Sequence, residues 1–232
     1  NLIPPGAESA QRSRAISLAQ SLISRYEALD RADLAEAVIV AFVGPPGQGP
    51  VPLADWAAWT RAELLEHKAA AALARLAEQF DGGAKLKLHD LHAQELNLLG
   101  EIIVKYPQSP YVPAAVGRIL HISNAYKDRK AWEPAEAVLA DFIKAHPKTA
   151  VTERMRYALI QVALTKAQVA FADRKDKEKT PEKLSAEYAA AIDALAAFLK
   201  DSPDSDYAPA VAGDLFAVAH AYGQMGAWGV AR

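Results

Sequence analysis

The sequence has no cysteine, which removes disulfides, zinc–cysteine centres and thiol nucleophiles together. It also lacks an excess of positive charge. Lys and Arg number 26 against 28 Asp and Glu, for a formal net charge of -2, so the basic face that nucleic acid requires is missing and that class of partner is excluded. No apolar run reaches the ~18 residues of a membrane span, and the N-terminus lacks the basic-then-apolar pattern of a signal peptide; no segment is expected to insert directly into a membrane. Phosphate-binding chemistry is absent as well. An apolar run, Val38 to Val43, leads into Gly44-Pro45-Pro46-Gly47-Gln48-Gly49-Pro50, but Pro50 stands where a phosphate loop needs Lys-Ser or Lys-Thr. Its prolines also remove backbone donors that would cradle the anion. Serines and histidines are scattered, and paired carboxylates occur only at helix-surface spacing. The expectation is therefore a protein without cofactor and without enzymatic chemistry.

What is present is self-similarity. A shift of 96 residues pairs Pro107 with Pro203, Ser109 with Ser205, Tyr111 with Tyr207, Pro113 with Pro209, Gly117 with Gly213, Tyr126 with Tyr222 and Trp132 with Trp228, without a gap. A shift of 40 aligns Ile102-Ile103-Val104-Lys105-Tyr106-Pro107 with Phe142-Ile143-Lys144-Ala145-His146-Pro147. Fixed-period similarity of this length marks a stacked repeat protein, whose core is a strip buried between neighbouring units.

Apolar periodicity predicts helices over residues 8–29, 31–42, 53–80 and 84–106, with Asp81-Gly82-Gly83 turning the last two into an antiparallel hairpin. Three regions follow: 1–52, N-terminal helices and a Gly/Pro linker; 53–106, a degenerate helical hairpin; and 107–232, the repeats, with the last one incomplete. Trp132 recurs as Tyr188 after 56 residues rather than 40, so the middle repeat holds sixteen extra residues, at about 172–187. Nine of the eleven residues from 173 to 183 are charged, with a net charge of only +1, which reads as a solvated loop. Thr180-Pro181-Glu182 then supplies a cap, a first-turn proline and an early carboxylate for a helix running to about Asp201. His89, His92 and Glu95 fall three apart on one predicted helix face, a spacing that admits a metal. No further ligand accompanies them, so packed or solvated histidines are the reading adopted and no metal is expected.

Within the repeats, Ile119-x2-Ile122-Ser123-x2-Tyr126 is followed by Ala135-x3-Leu139 and Pro147, and the last copy gives Leu215-x2-Val218-Ala219-x2-Tyr222 and Ala231. These residues sit at the separations of the tetratricopeptide signature, with aliphatics in place of its tryptophan and phenylalanine. The chain thus resembles tetratricopeptide repeats. The 40-residue period and the Tyr-Pro-x-Ser-x-Tyr phrase at Tyr106–Tyr111 resemble bacterial envelope members. These are the lipoprotein subunit of outer-membrane β-barrel assembly and the periplasmic coordinator of the Tol-Pal system. That resemblance implies an all-α, right-handed α-solenoid of antiparallel helix hairpins, a periplasmic or cell-envelope address, and a scaffold that binds a peptide or helix of another protein on its concave face. It fixes no oligomeric state. The other reading is a helical accessory segment of a larger enzyme. By the resemblance, the groove is lined by first-helix positions, here Leu120, Ile160 and Phe216, with Asn124, Leu164 and His220 one turn on. Together they would form an exposed stripe across the stack.

Overall fold

In a computed structural model, the described residues are 7–43, 53–79, 87–147, 149, 151–174 and 180–225. They form helices α1 (Ala7–Ala28), α2 (Ala32–Val43), α3 (Ala54–Gln79), α4 (Asp90–Lys105), α5 (Val112–Lys127), α6 (Trp132–Ala145), α7 (Thr152–Ala172), α8 (Pro181–Asp201) and α9 (Ala208–Gln224). No strand occurs among the described residues. The protein is an all-α repeat of helix hairpins. Helix starts reproduce the sequence periods: α7 begins 40 residues after α5, and α9 begins 96 after it. The equivalences at Trp228 and Ala231 lie outside the described residues, as does the turn at Asp81-Gly82-Gly83.

The chain divides into two compact units, Asn1–Ala71 with Asp90–Ala115, and Ala72–His89 with Val116–Arg232. In the first, α1 and α2 close on a core of Ala19, Ile23, Ala35, Ile39, Val43, Trp56 and Ala57. Its hairpin turn repeats one in the second unit bond for bond. The Leu29 and Arg31 N–H groups both donate to the Tyr26 carbonyl (3.2 and 2.8 Å), as those of Arg129 and Ala131 do to Tyr126 (3.1 and 3.0 Å). The residue between, Asp30 or Lys130, takes a left-handed φ of 53° or 57°. A shift of 100 residues then aligns Ala35, Ile39 and Phe42 with Ala135, Leu139 and Phe142. The α1–α2 pair is thus built on the same repeat pattern, a relation the 40- and 96-residue periods do not reveal.

The second unit carries the continuous repeats. Ala135 is fully buried, and its carbonyl accepts a 2.8 Å hydrogen bond from the buried Ser123 hydroxyl; small residues at both positions let α5 and α6 cross closely. Ala135→Leu should overpack this crossing and cost about 1 to 3 kcal/mol, read as a lowered midpoint in thermal denaturation; an unchanged midpoint would show that the crossing has room. The sixteen-residue insertion lengthens the helices on both sides of it. By the repeat shifts α7 would end near residue 167 and α8 would begin near 188, yet they reach Ala172 and Pro181. Thr180 caps α8, its hydroxyl accepting from the Lys183 N–H at 3.4 Å. Of the charged run, residues 175–179 fall outside the described residues.

Helix α4 starts at Asp90, later than periodicity implied, and residues 87–89 are not helical. His89 therefore precedes α4, and its backbone N–H donates to the buried Tyr126 hydroxyl at 2.9 Å. His92 and Glu95 do lie on α4, both buried. The described residues contain no group of three or more metal-type ligands.

Candidate docking surfaces on the first helices

The first helices α5, α7 and α9 expose or cover one equivalent face, and its side chains follow from helical geometry. Positions i, i+3, i+4 and i+7 share a face. On α5 these are Gly117, Leu120, His121 and Asn124; on α7, Tyr157, Ile160, Gln161 and Leu164; on α9, Gly213, Phe216, Ala217 and His220.

On α7 the face is closed. Ile160 and Leu164 are each 5 % exposed and belong to one apolar cluster with Leu184, Tyr188, Leu195, Val211 and Val218, against which Leu215 also packs. The Tyr157 ring stacks on Tyr207 at 5.5 Å between centroids. Its hydroxyl and the Gln161 amide donate to the same carboxylate oxygen of Asp214, at 3.2 and 2.5 Å. Burial first, and then the Asp214 charge, raise the Tyr157 pKa, so the hydroxyl keeps its proton for this bond. The exposed stripe expected from the sequence is therefore broken in its middle: Ile160 and Leu164 are core, buried in the cluster that α7 shares with α8 and α9.

On α5 the same face is only partly covered. Leu120 is half-buried and Asn124 exposed, and between α5 and α7 they border a groove of about 370 Å³ with Lys127, Arg154, Tyr157 and Gln161 on its walls. Such a groove offers an apolar wall, amide and hydroxyl groups for hydrogen bonds, and two cations. Sequence reasoning placed Leu120 and Asn124 here but missed Tyr157, Gln161, Lys127 and Arg154, since they line the groove only through the packing of α7 beside α5. On α9 the face is open, with Phe216 77 % exposed and His220 exposed.

A second groove, about 460 Å³, lies beside the lengthened end of α7 between Trp132, Ala167, Ala170 and Ala191. Its rim charges are used internally, by Lys130–Asp173 at 3.5 Å and Lys166–Glu136 at 3.0 Å, and by the Arg174–Glu187 pair. None of these surfaces assembles a nucleophile with a base.

The model of the family YfiO, described as outer membrane lipoprotein, matches residues 82–223, more than half of the chain. The chain belongs to the YfiO outer membrane lipoprotein family. YfiO membership makes it a protein of the cell envelope, and the matched region takes in α4 to α9 up to Gly223, including the first-helix faces just described. No curated protein and no solved structure matches the chain. Among the described residues of this YfiO member, no helix is long and apolar enough to cross a membrane.

Proposed function

We propose that this YfiO-family chain is a non-enzymatic scaffold that seats a peptide or helix of a partner protein on its first helices. The α5–α7 groove is the primary seat. The observation that carries this reading is the groove itself. Grooves with an apolar wall and a few fixed polar groups suit an amphipathic helix or an extended segment, and the walls here are held from behind by the Asp214 hydrogen bonds of Tyr157 and Gln161. Leu120 would receive an apolar side chain. Asn124 would hydrogen-bond the partner's backbone or a polar side chain, and Lys127 and Arg154 would favour an acidic one. Phe216 and His220 on α9 present the same face to a second contact.

The test is photocrosslinking in the cell envelope, with a benzophenone amino acid in place of exposed Asn124 and, as control, in place of exposed Lys200 on α8. A discrete protein adduct is expected from position 124 and none from position 200. Leu120→Glu should remove most of the adduct, since loss of a central apolar anchor costs roughly 1 to 2 kcal/mol or more of binding. An adduct that survives Leu120→Glu, or equal adducts from both positions, would contradict the groove.

A further inference from the structure

We infer that α5 and α7 meet at a sliding joint, where a side-chain clip that ties other first helices to the next repeat is absent, so that the groove between them widens and narrows while α7 and α9 move together. The clip has the same parts in each unit. In the first, the Ser109 hydroxyl donates to the Asp55 carboxylate at 3.0 Å and accepts from the Tyr111 N–H at 3.2 Å, and the Tyr111 ring stacks on Trp59 at 5.8 Å between centroids. In the second, the Ser205 hydroxyl donates to the Glu153 carboxylate at 2.6 Å and accepts from the Tyr207 N–H at 3.3 Å, and the Tyr207 ring stacks on Tyr157. In both, the acid is the second residue of its first helix, α3 or α7, and the stacked aromatic is the sixth. Asp214 reinforces the α7–α9 clip by accepting from Tyr157 and Gln161.

Between α5 and α7 the residues at these places cannot build it. The second and sixth residues of α5 are Pro113 and Gly117, which offer neither carboxylate nor ring. A shift of 56 puts Thr149, Val151 and Ala158 at the places of Ser205, Tyr207 and Asp214, and the Thr149 hydroxyl is engaged within its own turn, 2.9 Å from that of Thr152. The difference lies in residue type and not in backbone. Val151 has φ -97° and ψ -4°, close to the -90° and -12° of Tyr207, and a Cβ built on Gly117 would meet nothing within 4 Å. Helix α7 packs against α6 and is tied to it by the Lys166–Glu136 pair, but solvated pairs of this kind contribute little. Apolar packing has no preferred direction, and packed helices slide past one another in small shear steps. A ring stack with directed hydrogen bonds instead fixes one register. That sliding adjusts the groove to a partner rests on the function proposed above; the sliding itself is a property of the chain alone.

Pairs of spin labels on the full chain test the joint. Asp128→Cys with Arg154→Cys spans α5 and α7, and Gln168→Cys with Ala210→Cys is the equivalent pair across α7 and α9 by the 40- and 56-residue shifts; all four positions are exposed. Dipolar electron paramagnetic resonance is expected to give a distance distribution roughly twofold broader for 128/154 than for 168/210, as shear at one junction and a fixed register at the other require. Gly117→Tyr, Val151→Tyr and Ala158→Asp together graft the clip and should narrow 128/154 to the width of 168/210. Tyr157→Ala with Asp214→Ala removes the existing clip and should broaden 168/210, with the helical circular dichroism signal reporting that each variant is folded. Equal widths for the two pairs in the parent chain would overturn the inference, as would an unchanged 168/210 distribution once the clip is removed. A folded graft that leaves 128/154 broad would overturn it too; a graft that loses its helical signal leaves the first two readings to decide. Equal widths alongside a discrete crosslink from position 124 would remove the joint and keep the seat, whereas unequal widths without a crosslink would do the reverse.

Discussion

Ile160→Asp should destabilise the second unit by about 3 to 5 kcal/mol, because it deletes a core aliphatic and leaves a carboxylate among apolar neighbours. Phe216→Asp, the same substitution at the equivalent position 56 residues later, should change stability by less than about 0.5 kcal/mol, as exposed sites usually do. The contrast follows from burial alone: 5 % exposure at Ile160 and 77 % at Phe216. Since whole domains are stable by only roughly 5 to 15 kcal/mol, the first variant should melt far earlier than the second. Chemical denaturation of both variants, with the helical circular dichroism signal as readout, checks this. Comparable loss in the two would mean that α9 is covered, and comparable tolerance would mean that α7 is not.

Glu95→Gln should stabilise the protein above neutral pH, by up to roughly 3 kcal/mol. Glu95 on α4 is 1 % exposed, and burial pushes its carboxyl up from 4.5 to about 7, because the low-dielectric surroundings disfavour the charged form. The sign is fixed by linkage. Between pH 4.5 and 7 the folded chain holds the Glu95 proton more tightly than the unfolded chain does, so this group's contribution is fully present below pH 4.5 and is lost as pH rises through about 7. The amide keeps the shape and hydrogen-bonding capacity of the protonated acid without the charging cost. Glu95→Gln and the parent should therefore have similar stability near pH 4, diverge progressively between about pH 4.5 and 7, and differ by a constant amount above that. Equal stability at all pH values would show that the charged form is compensated within the fold.

The repeat architecture was legible in the sequence because it rests on local rules: small residues where helices cross, aliphatics at helical spacing, and a Pro-x-Ser or Pro-x-Thr phrase before α5, α7 and α9. The cap at Thr180 and the helix it starts were legible for the same reason. Two features were not. The α1–α2 hairpin shares its turn geometry and its Ala35, Ile39 and Phe42 positions with α5–α6 across 100 residues, but Leu29, Asp30 and Arg31 share no residue identity with Arg129, Lys130 and Ala131, so the signal lies in backbone bonds. The faces of the first helices were the other. Position alone makes Leu120, Ile160 and Phe216 equivalent, yet one borders a groove, one is core and one faces solvent. Which outcome holds depends on how closely the next first helix packs, a tertiary fact set by partners such as Asp214, Val211 and Val218. The start of α4 was misjudged on similar grounds: residues 87–89 have helical composition, but the His89 N–H is taken by the Tyr126 hydroxyl.

The α7 face is covered within the stack, whereas the α5 groove and the α9 face are open. Because the chain has no cysteine, single cysteines report on this without background. Asn124→Cys, Leu164→Cys, Phe216→Cys and His220→Cys would be reacted with a maleimide under native conditions and again in denaturant. Positions 124, 216 and 220 are predicted to react natively at nearly their denatured rates, and position 164 to be protected by orders of magnitude. Native labelling at 164 as fast as at 220 would contradict the stacking of first helices on which both proposed surfaces depend.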